Sequence, residues 1–168
     1  MKSLNQIKAK LEELQQKHLQ LNSFYFGELY DLTNTEINYP LMSATLMDGS
    51  ITKGEYRNRI MLLFADLVNK GEENRTDVLS DMQLVALDIH AQLYQWGTEE
   101  GIEISTDANF YDFVDRFNDE VTGWVLEIEL VQFYERDACA VPGVTSYLID
   151  LLGDYVIQLN STDRIIIK

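Results

Sequence analysis

Leu4, Ile7, Leu11, Leu14, His18 and Leu21 recur at alternating spacings of three and four, with Lys and Glu between them. That spacing is the seam of an amphipathic helix, predicted over residues 3–22 with Ser3 as N-cap. The seam is narrow, so it is expected to dock on a neighbour rather than form a free coiled coil. From Ser23 to Leu46 the pattern changes to aromatic and β-prone residues, FYFGELYDL and YPLMSATL, separated by the polar run TNTEIN. Two extended segments follow from that, and Asp48-Gly49-Ser50 reads as the turn after them.

Alternation of Arg57 and Arg59 with Tyr56, Asn58 and Ile60 predicts a strand over about 56–68. In TDVLSDMQLVALDIHAQLYQWG the apolar positions 78, 82, 85, 89, 93 and 96 follow a period near 3.6 and predict a second helix. Thr76 is its expected N-cap, Asp77 sits well in its first turn, and Gly97 is its expected stop. IEIS and FYDFVDRF read as short strands. Trp124, Leu126, Ile128 and Leu130 then alternate with Glu127 and Glu129, the clearest strand of the chain. Beyond Pro142 and Gly143, a short helix or strand near 145–152 and a terminal strand at 164–167 are expected, with turn signals at Gly153 and Asn160. The four apolar or basic residues expected at an exposed terminus, Ile165 and Ile167 among them, invite pairing with another chain.

No repeat, low-complexity segment or linker interrupts this pattern. The expected fold class is α+β: a mostly antiparallel sheet with two main helices packed on one face. It is read as a single domain over 1–168, with the N-terminal helix at 3–22, a core at about 24–142 and a C-terminal extension at 143–168. A chain of 168 residues is long enough to bury about 70% of its unfolded surface.

Charge narrows the functions available. With 13 Lys+Arg against 28 Asp+Glu the formal net charge is −15. Such a field repels phosphate backbones and anionic membranes, which argues against nucleic-acid capture and membrane attachment. A surface that DNA must slide past without sticking would also be acidic. Cys139 is the only cysteine, so an internal disulfide and a thiol-rich metal site are both excluded. The first residues carry no apolar core of signal-peptide type, and no stretch approaches the length of a membrane span. A soluble protein made in the cytoplasm is expected.

Candidate chemistry is sparse. Nucleophilic catalysis needs a nearby base, and the two histidines, His18 and His90, both fall within amphipathic helices where packing is the simpler role. The common nucleotide, hydrolase and zinc signatures are missing. Asp107, Asp112, Asp115, Asp119 and Glu120 are the densest carboxylate group. Their spacing fits no calcium loop: Asn118 stands where the bidentate Glu should be, and the sixth position has no Gly. They read as a solvated face. FYF at 24–26 and NFYDF at 109–113 would suit base stacking only with Lys or Arg alongside, which they lack. The sequence therefore points away from an enzyme, with no catalytic, cofactor-binding or metal residues assigned. Its alternative as a catalyst is a hydrolase using the 107–120 carboxylates with a divalent cation.

The order helix, strand pair, strand, helix, strand, with the ending DEVTGWVLEIELVQFYERDACAVP, resembles tail-terminator and tail-completion proteins of tailed bacteriophages. The likeness is strongest to neck or ring proteins of crAss-like and related gut phages. Three stretches carry it: YPLMSATLMDGSI at 39–51, RTDVLSDMQLVALDIHAQL at 75–93, and Val121-Thr122-Gly123-Trp124 leading into the long strand that closes at Cys139 and Pro142. The resemblance implies a structural virion protein, a homo-oligomeric ring of six or twelve copies in the head-to-tail connector. It would contact portal or adaptor proteins on one side and tail proteins on the other, while genomic DNA passes through the lumen without sequence-specific binding. Ring closure needs two different complementary surfaces on each subunit. The interface candidates are Leu4, Leu11, Leu14 and His18 on the first helix, Glu127 and Glu129 on the long strand, and Ile165 and Ile167 at the end. The alternative is a small acidic binding or inhibitor protein, an immunity protein or DNA mimic, acting on a basic partner.

Overall fold

The computed structural model describes residues 1–28, 37–105, 108–116, 120–134, 148–150, 156–159 and 165–167. The first helix, α1, runs Leu4–Lys17. Ser3 caps it in a reciprocal box: its hydroxyl accepts from the Gln6 amide at 3.4 Å, and its own amide donates to the Gln6 side chain at 2.8 Å. Ile7, Leu11 and Leu14 are buried one above the other, as the seam requires.

The predicted last turn, to residue 22, does not form. His18 is extended, and the buried Gln15 amide donates to the Leu21 carbonyl at 3.0 Å. Leu21 thus reaches the core through a turn, which leaves Leu19 fully exposed.

Six strands make the main sheet: β1 Ser23–Phe26, β2 Leu41–Thr52, β3 Glu55–Leu67, β4 Glu103–Ile104, β5 Asn109–Arg116 and β6 Glu120–Phe133. The order is β1-β2-β3-β6-β4, and β5 also pairs with β6. β1 and β2 are parallel and every other pair is antiparallel. The β3–β6 ladder runs unbroken from Glu55↔Phe133 to Leu67↔Val121. Gly123 makes this close approach possible, because a Cβ there would run into the Phe64 carbonyl.

Asp48-Gly49-Ser50 is not the predicted turn but part of β2, opposite Arg57 to Arg59. The register slips at Met47, and the chain reverses at Lys53-Gly54, where φ is 54° and 81°. A two-residue hairpin with positive φ at both positions matches the right-handed twist of its strands, and Gly54 adopts it freely.

The second helix, α2, spans Arg75–Glu100. Its N-cap is Asn74 rather than Thr76, and the Asn74 side chain instead accepts from the Asn69 amide at 2.7 Å, tying the helix to the loop before it. Gly97 does not end the helix. It is buried where a Cβ would meet the Ile102 carbonyl and the Ile104 side chain, and the left-handed Gly101, φ 67°, makes the stop. Glycine at 97 serves a close approach instead of a stop.

Both helices lie on one face of the sheet, as the α+β pattern predicts. Ile7, Leu11 and Leu14 of α1 and Val78, Met82, Val85, Ile89 and Leu93 of α2 pack on Ile60, Leu62, Phe64, Leu126, Ile128 and Leu130. The Trp124 indole donates to the Leu79 carbonyl at 2.8 Å, and Phe110 stacks on it at 4.5 Å. A smaller cluster of Leu41, Leu63, Ala65 and Val125, joined by Tyr25, Tyr39 and Phe113, occupies the opposite sheet face.

The chain groups into two compact units, Met1–Glu135 and Arg136–Lys168, where the sequence pattern predicts a single domain with a core ending at about 142. The second unit carries an antiparallel sheet of β7 Leu148–Asp150, β8 Val156–Leu159 and β9 Ile165–Ile167. β7 and β9 fall on predicted segments, while the sequence pattern predicts no strand at β8. Among the described residues no helix is long and apolar enough to cross a membrane.

Candidate interaction surfaces

The sheet face away from the helices changes character along its length. At the end near the hairpin turn, the outward positions of β2, β3 and β6 carry charge, arranged in closed pairs. Arg57 reaches Glu55 at 2.7 Å and Glu129 at 3.0 Å, and Arg59 grips Asp48 with the Nε–Nη2 edge of its guanidinium. Glu127 accepts from the Asn109 amide and the Tyr111 hydroxyl, each at 3.0 Å.

These contacts set the titration of the face. The hydrogen bond from Asn109, then that from Tyr111, holds Glu127 below the usual glutamate range, with help from the Arg59 charge. Arg59 does the same to Asp48. Burial first, and the bond to Glu127 second, push the Tyr111 phenol up. All of this favours the ionised carboxylates and neutral phenol that the network already uses, so it describes a stable charged surface rather than groups poised to exchange protons.

Glu127 and Glu129 therefore lie together on the outer face, as strand alternation predicts, each committed to a partner on a neighbouring strand. The first-helix candidates divide. Leu11 and Leu14 are buried in the chain's own core and offer no surface to a second chain, which corrects their reading as interface residues. The neighbour on which the seam docks is the sheet. Leu4 remains exposed, and His18, at the helix end, lies 3.6 Å from Asp88 of α2. Ile165 and Ile167 sit in β9, paired with Leu159 and Ile157 of β8.

His90 donates to the Ser105 carbonyl at 3.3 Å, a packing role. Of the carboxylate group, Asp107 and Asp119 lie outside the described residues. Asp112 pairs with Trp124 and Asp115 with Val121 in the β5–β6 backbone register. Among the described residues no cluster of three or more metal-ligating side chains forms.

Sequence reasoning missed two exposed apolar surfaces. The first is the turn end of the sheet. The chain is exposed from Met47 to Gly54, and Phe133 is 72% exposed where β6 leaves the sheet beside the turn. Ile51 and Tyr134 are exposed there as well, and the Tyr134 amide donates to the Gly54 carbonyl at 2.8 Å. Alternation carried a signal for Ile51, but the misplaced turn hid it.

The second is the outer side of α2, where Leu84, Leu87 and Tyr94 are exposed. Neither a family model nor a curated protein matches the sequence.

Proposed function

We propose that this chain is a structural subunit of the tailed-phage neck, a virion protein that closes into a ring of the head-to-tail connector and joins portal or adaptor to tail. The observation that carries this reading is the turn end of the sheet. Met47 and Ile51 of β2, Phe133 at the end of β6 and Tyr134 just beyond it hold large apolar side chains in water around the hairpin turn, with Ile51 and Phe133 on opposite faces of the sheet by the register. Monomeric proteins seldom gather exposed apolar residues in this way unless they are covered by another polypeptide. A rigid projecting end that fits a different surface on the next copy gives the head-to-tail contact from which rings close.

The −15 net charge supports the same role, since a ring of such subunits surrounds DNA without neutralising its phosphates. Arg57, Arg59, Asp48, Glu127 and Glu129 of the outer sheet face are paired with neighbours on that face and add support for an assembly role over a catalytic one.

Native mass spectrometry and negative-stain microscopy of the purified chain, alone and co-expressed with its genomic neighbours, test the proposal. Closed rings that are lost in an Ile51→Asp/Phe133→Asp variant with unchanged circular dichroism are expected. A chain that stays monomeric at high concentration and in the presence of portal and tail proteins overturns it. The acidic charge also favours a second reading, an inhibitor of a basic partner, and a stable one-to-one complex with such a partner is its signature.

A further inference from the structure

A helix packed on a sheet normally presents its charges on the side away from the core. In α2 that side is free of charge. At 100° per residue, Ser80, Leu84, Leu87, Ala91, Tyr94 and Thr98 fall in one arc directly opposite the buried row of Val78, Met82, Val85, Ile89 and Leu93. All six are exposed, Leu84 by 58%, Leu87 by 52% and Tyr94 by 47%. The Thr98 hydroxyl is satisfied within the helix by the Tyr94 carbonyl at 3.0 Å. Leu84, Leu87, Ala91 and Tyr94 are spaced three, four and three apart, the spacing of a seam that meets another helix.

Apart from Arg75 and Glu100 at its two ends, the charges of α2 are displaced to one flank. Asp77, Asp81, Asp88 and Glu99 form a single-sign row beside the stripe, all exposed. The only basic residue of α2, Arg75, lies in its first turn, 3.5 Å from Glu72. Lys10 and Lys17 of α1 are committed to Glu13 at 3.2 and 2.5 Å. On the other flank Leu87 borders a hollow of about 230 Å³ with His90, Ala108 and Phe110, a seat for one inserted side chain.

We propose that the outer face of α2 docks an amphipathic helix of a different polypeptide, with apolar anchors along its seam and Lys or Arg along one edge. Charge complementarity selects this occupant. A second copy in two-fold antiparallel pairing would set the row Asp77, Asp81, Asp88 and Glu99 against itself, adding like-charge repulsion to a chain already at −15. A basic edge meets the same row with attraction and steers the encounter. The inference goes beyond the ring reading, because it assigns α2 to a foreign partner whatever assembly the sheet end makes.

Two synthetic helical peptides of about three heptads test it against the full chain by fluorescence anisotropy. They share Leu anchors and differ only in carrying Lys or Glu along one edge. The Lys peptide should bind about tenfold or more tighter than the Glu peptide, with the preference falling as salt rises. Leu84→Glu/Leu87→Glu should abolish binding, and Asp81→Lys/Asp88→Lys, which leaves the stripe intact, should reverse the preference.

Equal affinity for both peptides, or none for either, overturns the proposal. So does concentration-dependent self-association that Leu87→Glu abolishes, which would make the occupant a second copy. Sedimentation of the protein with phosphatidylcholine vesicles through Leu87 would overturn it equally, by naming a lipid surface.

Discussion

Gly123 and Asp66 show how much single positions decide and how differently each was legible. Gly123 reads in sequence as one more small residue in an apolar strand; only the β3–β6 register reveals that its missing Cβ lets the two backbones meet at Phe64. Gly123→Ala should cost about 3 kcal/mol or more in urea unfolding, since the colliding atom is backbone and cannot rotate away. Asp66 is the converse case. Burial raises its pKa, with the Asp81 charge adding to it, while the Leu67 amide, 2.8 Å away, works against the shift. A carboxyl raised in the fold opposes folding when ionised, so stability is lost as pH climbs through its titration. Asp66→Asn keeps an oxygen for the Leu67 amide and should raise the unfolding midpoint at pH 7, with the gain disappearing near pH 3. A midpoint that is unchanged or lower at pH 7 would show that the carboxylate is better solvated than its surroundings imply. Leu11 and Leu14 were legible as a seam but not as to what the seam meets, because periodicity reports that a face is covered and not by which chain. Leu11→Ala should accordingly cost about 2–5 kcal/mol, whereas Leu4→Ala at the exposed end should stay within about 0.5 kcal/mol.

At the scale of elements, the sequence pattern located both helices and the strands of the main sheet, and erred where two signals share one residue type. The pattern reads Gly49 as part of a turn and Gly97 as a helix stop. One lies against the Tyr56 ring within β2 and the other against Ile102 and Ile104, so both serve close packing. The residues that reverse the chain are Gly54 and Gly101, each with positive φ and with open space where a Cβ would go. Substituting Ala separates the two roles. Gly101→Ala should cost about 1 kcal/mol, the penalty of a left-handed backbone alone. Gly97→Ala should cost more, because Ile104 or the 102 carbonyl must move, and a smaller loss at 97 than at 101 in thermal unfolding would refute that division. The period near 3.6 in α2 is met by its inner row, and the row 84, 87, 91, 94 stays hidden behind it because one period is satisfied by one face. A helix with two apolar faces has a weak moment, which is why the outer one is visible only when exposure is known.

For the molecule as a whole, the −15 charge has two opposing consequences that pH separates. Self-repulsion weakens as carboxylates protonate, which by itself would favour the compact state in mild acid. The outer-face network acts in the other direction. Glu127 is held down by Asn109 and Tyr111, and Asp48 by Arg59, so each titrates lower in the folded chain than in the unfolded one. Between those two values the unfolded chain binds the extra proton, and stability rises with pH. Their contribution is fully present above the usual carboxylate range and is lost as pH falls through the depressed values. Glu127→Gln isolates this term, since it removes the charge near Arg59 while leaving an oxygen for one of the two donors. The variant should be less stable than wild type at pH 7, and the two urea midpoints should converge toward pH 3. Parallel curves across that range would mean that the carboxylate is worth no more folded than free. In that event the ordered face of β3, β5 and β6 would owe its arrangement to the apolar cluster at its other end, around Leu63 and Val125, and its charges would be open to pairing with another protein.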